Sequence, residues 1–382
     1  MHTAQHGFTA GKSIDTNLVE ITGEIANAIG NTSQLDVIYI DLSSAFDAVN
    51  HNTLLRKLLN IGLAPNLVKW FDSFMSGRTF RIKVNGATSS KANISRGVPQ
   101  GSALGPLLFA IYINDLPSIC EEKGVKVLLY ADDIKLFKEI KKHEDVKALQ
   151  EGLDAVLDWA EKNGMDINSD KTKHVTYTRK TQYIATTYDI YGTTIEKQQK
   201  IKDLGVTFDS RLMFDLHIQN IADTSRRAVC YIITNWRHIN DPFVLVQMYK
   251  ILVRPKMEYA SLVWSSASES HLKLLESVQK KAISIIYNKL RLNHLYYDYE
   301  HLCNFFRLEF LKERRKTKDF KLIKKLLEGK VIIDYILRNI MLKVPTYITR
   351  QHNLLYTRTA AQNPVHRMVK NYNELAYSSD EG

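Results

Sequence analysis

The chain has 382 residues, 45% of them hydrophobic and 24% charged, the make-up of a globular protein large enough for two or three domains. Its longest apolar run, Leu104–Ile113, is about half the roughly 20 residues a membrane span needs, and Met1–His6 holds no apolar signal-peptide core, so no membrane role is expected. The formal net charge of +11 is lopsided: residues 1–210 carry 24 Lys+Arg against 25 Asp+Glu, and residues 211–382 carry 28 against 16, the pattern of a catalytic module followed by one that grips a polyanion.

In chain order, Gly7-Phe8-Thr9-Ala10-Gly11-Lys12-Ser13 looks like a phosphate-binding loop but has three residues between its glycines where that motif needs four, and no strand precedes it. Leu18, Ile21, Ile25 and Ile29 recur at helical spacing and predict a helix over 15–29. Asp36–Asp41 is apolar on both faces, as a buried strand is. Asn50–Asn60 reads as a helix stopped by Gly62, and Pro65 starts another that ends at Gly77. Phe80, Ile82 and Val84 alternate, and Asn85-Gly86 supplies a tight hairpin turn. Ser102–Leu116 reads as one helix with Pro106 in its first turn.

Two strand-like runs, Val125–Leu129 and Ile134–Phe137, then flank Asp132-Asp133, and an amphipathic helix follows over Val146–Asn163. Val175–Tyr177 and Gly205–Phe208 are short strands. Beyond residue 211 the pattern is mostly helical, including Phe243–Val253, His271–Tyr287 and Phe305–Leu327. Lys312–Lys318 with Lys321, Lys324 and Lys325 makes a dense basic helix, either a phosphate-facing surface or a solvated face. The last twenty residues are polar and read as a frayed end. This order fits an α+β palm, an antiparallel sheet with helices on one face. Cys120, Cys230 and Cys303 lie far apart, which fits neither a disulfide framework nor a zinc ribbon but suits a reducing, intracellular setting, nucleus or cytoplasm.

The chemistry concentrates in a few stretches. Asp132 and Asp133 at a hairpin tip repel each other unless a cation sits between them, and Asp41 ends another strand. Three carboxylates at strand ends are what two-metal phosphoryl transfer needs; an acidic surface turn would carry the same residues. Asp41 can share Mg²⁺ with the backbone carbonyl of Leu42. Phe46 is placed to close over a nucleotide sugar and exclude a 2′-hydroxyl, or to serve as a core aromatic. Arg96-Gly97-Val98-Pro99-Gln100-Gly101-Ser102 opens a helix, where glycines let backbone approach a ligand and the helix start favours anions. Lys171 could contact a triphosphate or protonate leaving pyrophosphate, or be a surface turn residue.

Taken together, Asp41-Leu-Ser-Ser-Ala-Phe-Asp47, Arg96-Gly-Val-Pro-Gln-Gly-Ser102 and Tyr130-Ala-Asp-Asp133 stand in the order of the palm motifs of reverse transcriptases. Asn168-Ser-Asp-Lys-Thr172 and Leu204-Gly-Val206 resemble the fourth motif and the primer grip. The set resembles the reverse transcriptases of non-LTR (LINE-type, jockey-like) retrotransposons, and Tyr249–Pro255 with Glu258-Tyr-Ala260 looks like the helical region after the palm.

The resemblance implies a right-hand polymerase fold: partial fingers over 1–35, a palm over 36–210 with a fingers insertion at about 51–98, a basic helical thumb over 211–345 and a tail over 346–382. It implies RNA-directed DNA synthesis from an RNA template, a DNA primer and dNTPs. Asp41, Leu42, Asp132 and Asp133 would hold two Mg²⁺ or Mn²⁺ ions, one activating the primer 3′-hydroxyl and one holding the triphosphate. Phe46 would be the sugar gate. Lys12, Arg96, Pro99, Gln100 and Gly101 would line the substrate pocket; Leu204, Gly205, Lys321, Lys324 and Lys325 would meet nucleic acid. Family members carry Arg after the Phe of the Gly7-Phe8 segment, where this chain has Thr9, and further fingers upstream. The chain is therefore expected to be an N-terminally truncated copy. That leaves open a catalytically defective nucleic-acid-binding remnant, and an unrelated metal-dependent nuclease or phosphotransferase.

Overall fold

The computed structural model describes residues 1–289, 298–342, 354–357, 359–360 and 363–379. The chain divides into two units: residues 1–17 with 32–199, and residues 18–31 with 200–382. The helix Ile14–Gly30 starts in the first unit and continues in the second.

The first unit is built on a five-stranded sheet ordered Glu196–Lys197, Lys173–Tyr177, Gln34–Ile40, Asp133–Ile140, Lys126–Tyr130. All neighbours are antiparallel except Glu196–Lys197, which runs parallel to its partner. Gln34–Ile40 lies in the middle, buried on both faces. The helix His143–Asn163 buries Leu149, Leu153, Val156, Leu157 and Trp159, and ends where Gly164 adopts φ +67°.

Between the first strand and its hairpin neighbours lie two helices, His51–Asn60 and Pro65–Met75. The Asn50 side chain caps the first by accepting from the Thr53 amide at 3.0 Å. A two-stranded ribbon follows, pairing Thr79–Phe80 with Ala92–Asn93 and Lys83–Val84 with Ala87–Thr88. Asn85 and Gly86 turn it with φ of +48° and +87°, the left-handed pair that a two-residue hairpin loop favours.

The helix expected over 102–116 is two helices, Gly105–Tyr112 and Leu116–Glu122. Pro106 and Pro117 each sit in a first turn, because a proline ring is tolerated there and breaks a helix interior. The apolar run continued across the break and hid it.

One buried polar cluster stitches the sheet. Asp36, fully buried, accepts hydrogen bonds from Tyr188 Oη at 2.8 Å and Gln34 Nε2 at 3.0 Å, and His174 Nε2 lies 3.3 Å away. Burial alone would raise its pKa. The hydrogen bond and charge of His174, with the Gln34 and Thr186 hydrogen bonds, outweigh burial and hold it below the usual carboxylate value. Asp36→Ala should therefore cost about 3 kcal/mol of stability at neutral pH, since it strands several buried partners. Folded Asp36 takes up its proton less readily than unfolded Asp36. Its contribution is thus complete above pH 3.8 and fades as the pH falls below it. Urea unfolding at pH 7 and pH 3 checks this; an unchanged midpoint at pH 7 would remove the cluster from the stability of the sheet.

The second unit opens with the hairpin Lys200–Asp203/Val206–Asp209 and continues as helices, the longest being Asp215–Asn235, Glu269–Asn288 and Leu311–Leu327. The helix expected over 305–327 is interrupted: Tyr299–Phe305 ends before Leu311–Leu327 begins. Phe306 and Leu308 are buried in the intervening turn, where Arg307 adopts φ +50°, so apolar positions that extended the helical period serve the turn instead.

The end of the chain is not frayed where it is described. Pro364–Ser379 is a helix that buries Val365, Met368 and Val369 and is anchored by polar contacts as well. Arg367 Nε donates to Asp319 Oδ2 at 2.9 Å and Asn371 Nδ2 to the same oxygen at 2.6 Å. Asn363 Nδ2 lies 2.8 Å from Asn27 Oδ1, 3.2 Å from the Gly23 carbonyl and 2.7 Å from Tyr335 Oη. Within the expected 346–382 tail, residues 346–353, 358, 361–362 and 380–382 lie outside the described residues. Among the described residues no helix is long and apolar enough to cross a membrane.

Candidate active site

The strand Lys126–Tyr130 returns as Asp133–Ile140 through Ala131 and Asp132, with Tyr130 paired to Asp133. Ala131 adopts φ +55°, a conformation that side chains with a Cβ resist. The N-terminal segment holds this tip. The His6 amide donates to the Leu129 carbonyl and the Leu129 amide to the Ala4 carbonyl, both at 2.9 Å. Gln5, fully buried, accepts at Oε1 from the Gly7 amide at 2.7 Å and the Ala131 amide at 3.2 Å. Gly7 is glycine for a steric reason: a Cβ there would stand 2.4 Å from the Ala131 nitrogen.

The ladder of the central strand with this hairpin ends where Ile40 pairs with Ile134, and Asp41 and Asp133 are the next residues along each chain. Asp132 is half-buried and Asp133 exposed. Burial raises the Asp132 pKa, and the charge of Asp41 raises it further, against a lowering backbone hydrogen bond. Lys171 Nζ lies 3.6 Å from Asp41 Oδ2, with the lysine largely in solvent and Asp41 half-buried, a pair worth little stability on its own. Thr172, fully buried, accepts at Oγ1 from the Asp41 amide at 3.4 Å, and the Asn168 amide donates to the Asp41 carbonyl at 2.9 Å. Leu42 is buried and pairs with Ile167. The fourth-motif loop thus fixes the backbone of Asp41 as well as supplying Lys171.

Phe46 sits in the short helix Ala45–Ala48 and is half-buried. It stacks on Phe109 with centroids 4.5 Å apart and meets Phe8 edge-on at 6.4 Å. The loop Arg96–Ser102 docks on this helix: the Val98 amide donates to the Phe46 carbonyl at 2.9 Å, and the Gly97 amide to Val49 at 2.7 Å. Gln100 Nε2 donates to Asp47 Oδ1 at 2.9 Å. Gly97 and Gly101 have φ of +88° and +77°. Arg96, Gln100 and Gly101 are exposed and Pro99 half-buried, so the loop presents them while its glycine at 97 packs on Asp47. Lys12 Nζ donates to the Thr3 carbonyl.

In the second unit, Leu204 and Gly205 form a hairpin tip with φ of +42° and +85°. Tyr259 Oη donates to the Leu204 carbonyl at 2.7 Å. Lys321, Lys324 and Lys325 are exposed. The preceding basic run is engaged within the unit. Arg314 Nη1 donates to Glu309 at 2.7 Å, Arg314 Nε to Glu258, and Lys318 Nζ to the Glu258 carbonyl at 2.7 Å, while Arg315 is buried.

Sequence reasoning missed Gln5, Thr172 and Tyr259. Gln5 acts across 126 residues of chain and no local pattern marks it, while Tyr259 stands in the Glu258-Tyr-Ala260 match but its bond to Leu204, 55 residues away, has no local signal. Thr172 had a signal, its place beside Lys171 in the fourth motif, but its role is to the backbone.

Comparison with known proteins agrees with the motif order. Residues 1–208 match the family model for reverse transcriptase (RNA-dependent DNA polymerase). The chain is 32% identical over 289 residues to the RNA-directed DNA polymerase from mobile element jockey of Drosophila melanogaster, covering 73% of this chain and 31% of that protein. It is 29% identical over 289 residues to the probable RNA-directed DNA polymerase from transposon X-element of the same fly, covering 74% of this chain and 31% of that protein. The chain thus spans about a third of the length of these relatives. Among solved structures, a telomerase from Candida albicans in complex with a fragment of telomeric RNA aligns with 76% of this chain and 54% of its own, at 12% identity and a TM-score of 0.41.

Proposed function

The chain belongs to the reverse transcriptase (RNA-dependent DNA polymerase) family, and from that premise we propose that it is an RNA-directed DNA polymerase core of a mobile element, extending a DNA primer with dNTPs along an RNA template. The observation that carries this reading is the set of carboxylates Asp41, Asp132 and Asp133 at the ends of paired strands, with Lys171 Nζ 3.6 Å from Asp41 Oδ2.

Asp41, Asp132 and Asp133, with the Leu42 carbonyl, would hold Mg²⁺ or Mn²⁺. Among the described residues no three Asp, Glu, His or Cys side chains form a ready cage. Magnesium takes one or two carboxylates and completes its shell with substrate phosphates and water. Two such ions would supply charge neutralisation at the attacking and leaving oxygens. The residues do the rest. Lys171, exposed beside Asp41, is free to swing to a triphosphate oxygen and carry a proton to pyrophosphate. Gln100 and Gly101, presented on the docked loop, hold the base and template. Leu204 and Gly205 position the primer end, and exposed Lys321, Lys324 and Lys325 take duplex phosphates. Three unpaired cysteines fit work inside the cell, in the nucleus or cytoplasm.

The direct test is primer extension on an RNA template with dNTPs and Mg²⁺ or Mn²⁺. Incorporation that stops with EDTA is expected. Template binding without incorporation would favour a second reading, a nucleic-acid-binding remnant, for which one observation speaks: Lys12 Nζ donates to the Thr3 carbonyl. The sugar gate has its own test. Phe46 is held by Phe109 and Phe8, so Phe46→Ala opens space where a 2′-hydroxyl would lie. Discrimination against ribonucleotides should fall by roughly 10²-fold, within the range one steric contact supplies. Unchanged selectivity in an active preparation would return Phe46 to a packing role.

A further inference from the structure

The ribbon over residues 79–93 has no place in the chemistry above. All fifteen of these residues are exposed. Along one side of it Phe80, Ile82 and Val84, which are 47%, 58% and 61% exposed, alternate in sequence with Arg81 and Lys83 across the two short strands Thr79–Phe80 and Lys83–Val84. Alternation puts the two sets on opposite faces. The pairing of Phe80 with Ala92 brings Lys91 beside Arg81 on the basic face.

Two physical facts make this element incomplete as it stands. A two-stranded ribbon with neither face covered is marginal in water. Like charges set across a strand pair also destabilise it. Both costs are relieved by a polyanion on the basic face. The sequence around the ribbon is built for that occupant. From Ser73 to Asn114 there are five cationic residues, Arg78, Arg81, Lys83, Lys91 and Arg96, and no Asp or Glu. Among the described residues Arg81, Lys83 and Lys91 have no acidic partner within the chain, unlike the run at Lys312–Lys318. The ribbon also leads directly into the loop that presents Arg96 and Gln100.

We propose that this ribbon is a nucleic-acid-binding element whose face of Arg81, Lys83 and Lys91 takes the phosphate backbone of an RNA strand. The choice of RNA as the polyanion rests on the polymerase reading; the electrostatic surface does not. Each phosphate neutralised on a single strand releases condensed counterions and adds about 0.7 to the slope of log K against log salt.

The test uses the full chain and an oligouridine RNA, titrated at several KCl concentrations in EDTA without dNTPs. Arg81→Gln/Lys83→Gln/Lys91→Gln should lower the slope by about 2 and weaken binding about tenfold or more at low salt. Arg81→Lys/Lys83→Arg/Lys91→Arg should restore it. The side chains are exposed, so an unchanged thermal melt is expected and serves as the folding control. An unchanged slope in the neutral variant overturns the proposal. An unchanged slope joined to a sedimenting mass of two chains, halved by Ile82→Thr/Val84→Thr, would assign the ribbon to a second copy instead. With metal and dNTPs absent, the result does not depend on whether the chain polymerises. Single-stranded DNA in place of RNA, bound with the same slope loss, would keep the surface and remove only the choice of RNA.

Discussion

Asp132→Asn should reduce RNA-templated incorporation by about 10³-fold or more while making the metal-free protein slightly more stable. The first effect follows if the carboxylate binds an ion that neutralises charge developing at the reacting phosphate, since groups that act only in the transition state are costly to lose. The second follows from the hairpin itself. Burial and the charge of Asp41 push the Asp132 pKa up, so folded Asp132 holds its proton more firmly than the unfolded residue does. The ionised side chain then works against folding. That penalty is absent below pH 3.8 and complete once the pH exceeds the raised value. The amide removes it. In EDTA at neutral pH the melting temperature should rise on the order of 1–2 °C, with no difference between the proteins in strong acid. Loss of activity with loss of stability would instead mark Asp132 as structural. Near-normal incorporation would take it out of the chemistry.

Gly7→Ala should slow incorporation by roughly 10²-fold with RNA binding intact. The added methyl would lie 2.4 Å from the Ala131 nitrogen and 3.1 Å from the Tyr130 carbonyl carbon. Both are backbone atoms and cannot rotate aside. Either the N-terminal segment lifts away, losing the Gln5 bonds to Gly7 and Ala131, or the hairpin tip is displaced with its two carboxylates. Misplacement of a reacting group by about 1 Å is enough for that loss of rate. Single-turnover incorporation measured beside RNA affinity separates the outcomes. A rate within about twofold of the parent would show that the tip keeps its geometry without this support.

Much of the site was legible because its chemistry is local. Apolar strand runs ending in Asp41 and flanking Asp132-Asp133 announce both the strands and the acids, and Asn85-Gly86 announces its turn. What failed to show was whatever depends on distant partners. Gln5 lies under the carboxylate hairpin from 126 residues away. The basic run at 312–318 looks like a surface until Glu258 and Glu309 claim Arg314. The helix Asp215–Asn235 was not singled out because its buried face includes His217, Ala222 and Ser225, which break the apolar period. The final helix looks frayed for a related reason: its buried apolar residues, Val365, Met368 and Val369, are few, and Asn363, Arg367 and Asn371 are polar residues satisfied by a buried Asp319 and by residues of the first helix.

The last of these contacts bears on how the gene could be cut. Residues 18–31 belong to the same compact unit as residues 200–382, and the Asn363 side chain reaches Asn27. A clone starting at codon 200 would therefore encode a body missing one of its own walls. Expression libraries, split reporters and grafted chimaeras that treat the two units as consecutive blocks should yield insoluble carboxyl-terminal pieces, rescued by supplying the 18–31 segment in trans or by splicing it ahead of residue 200.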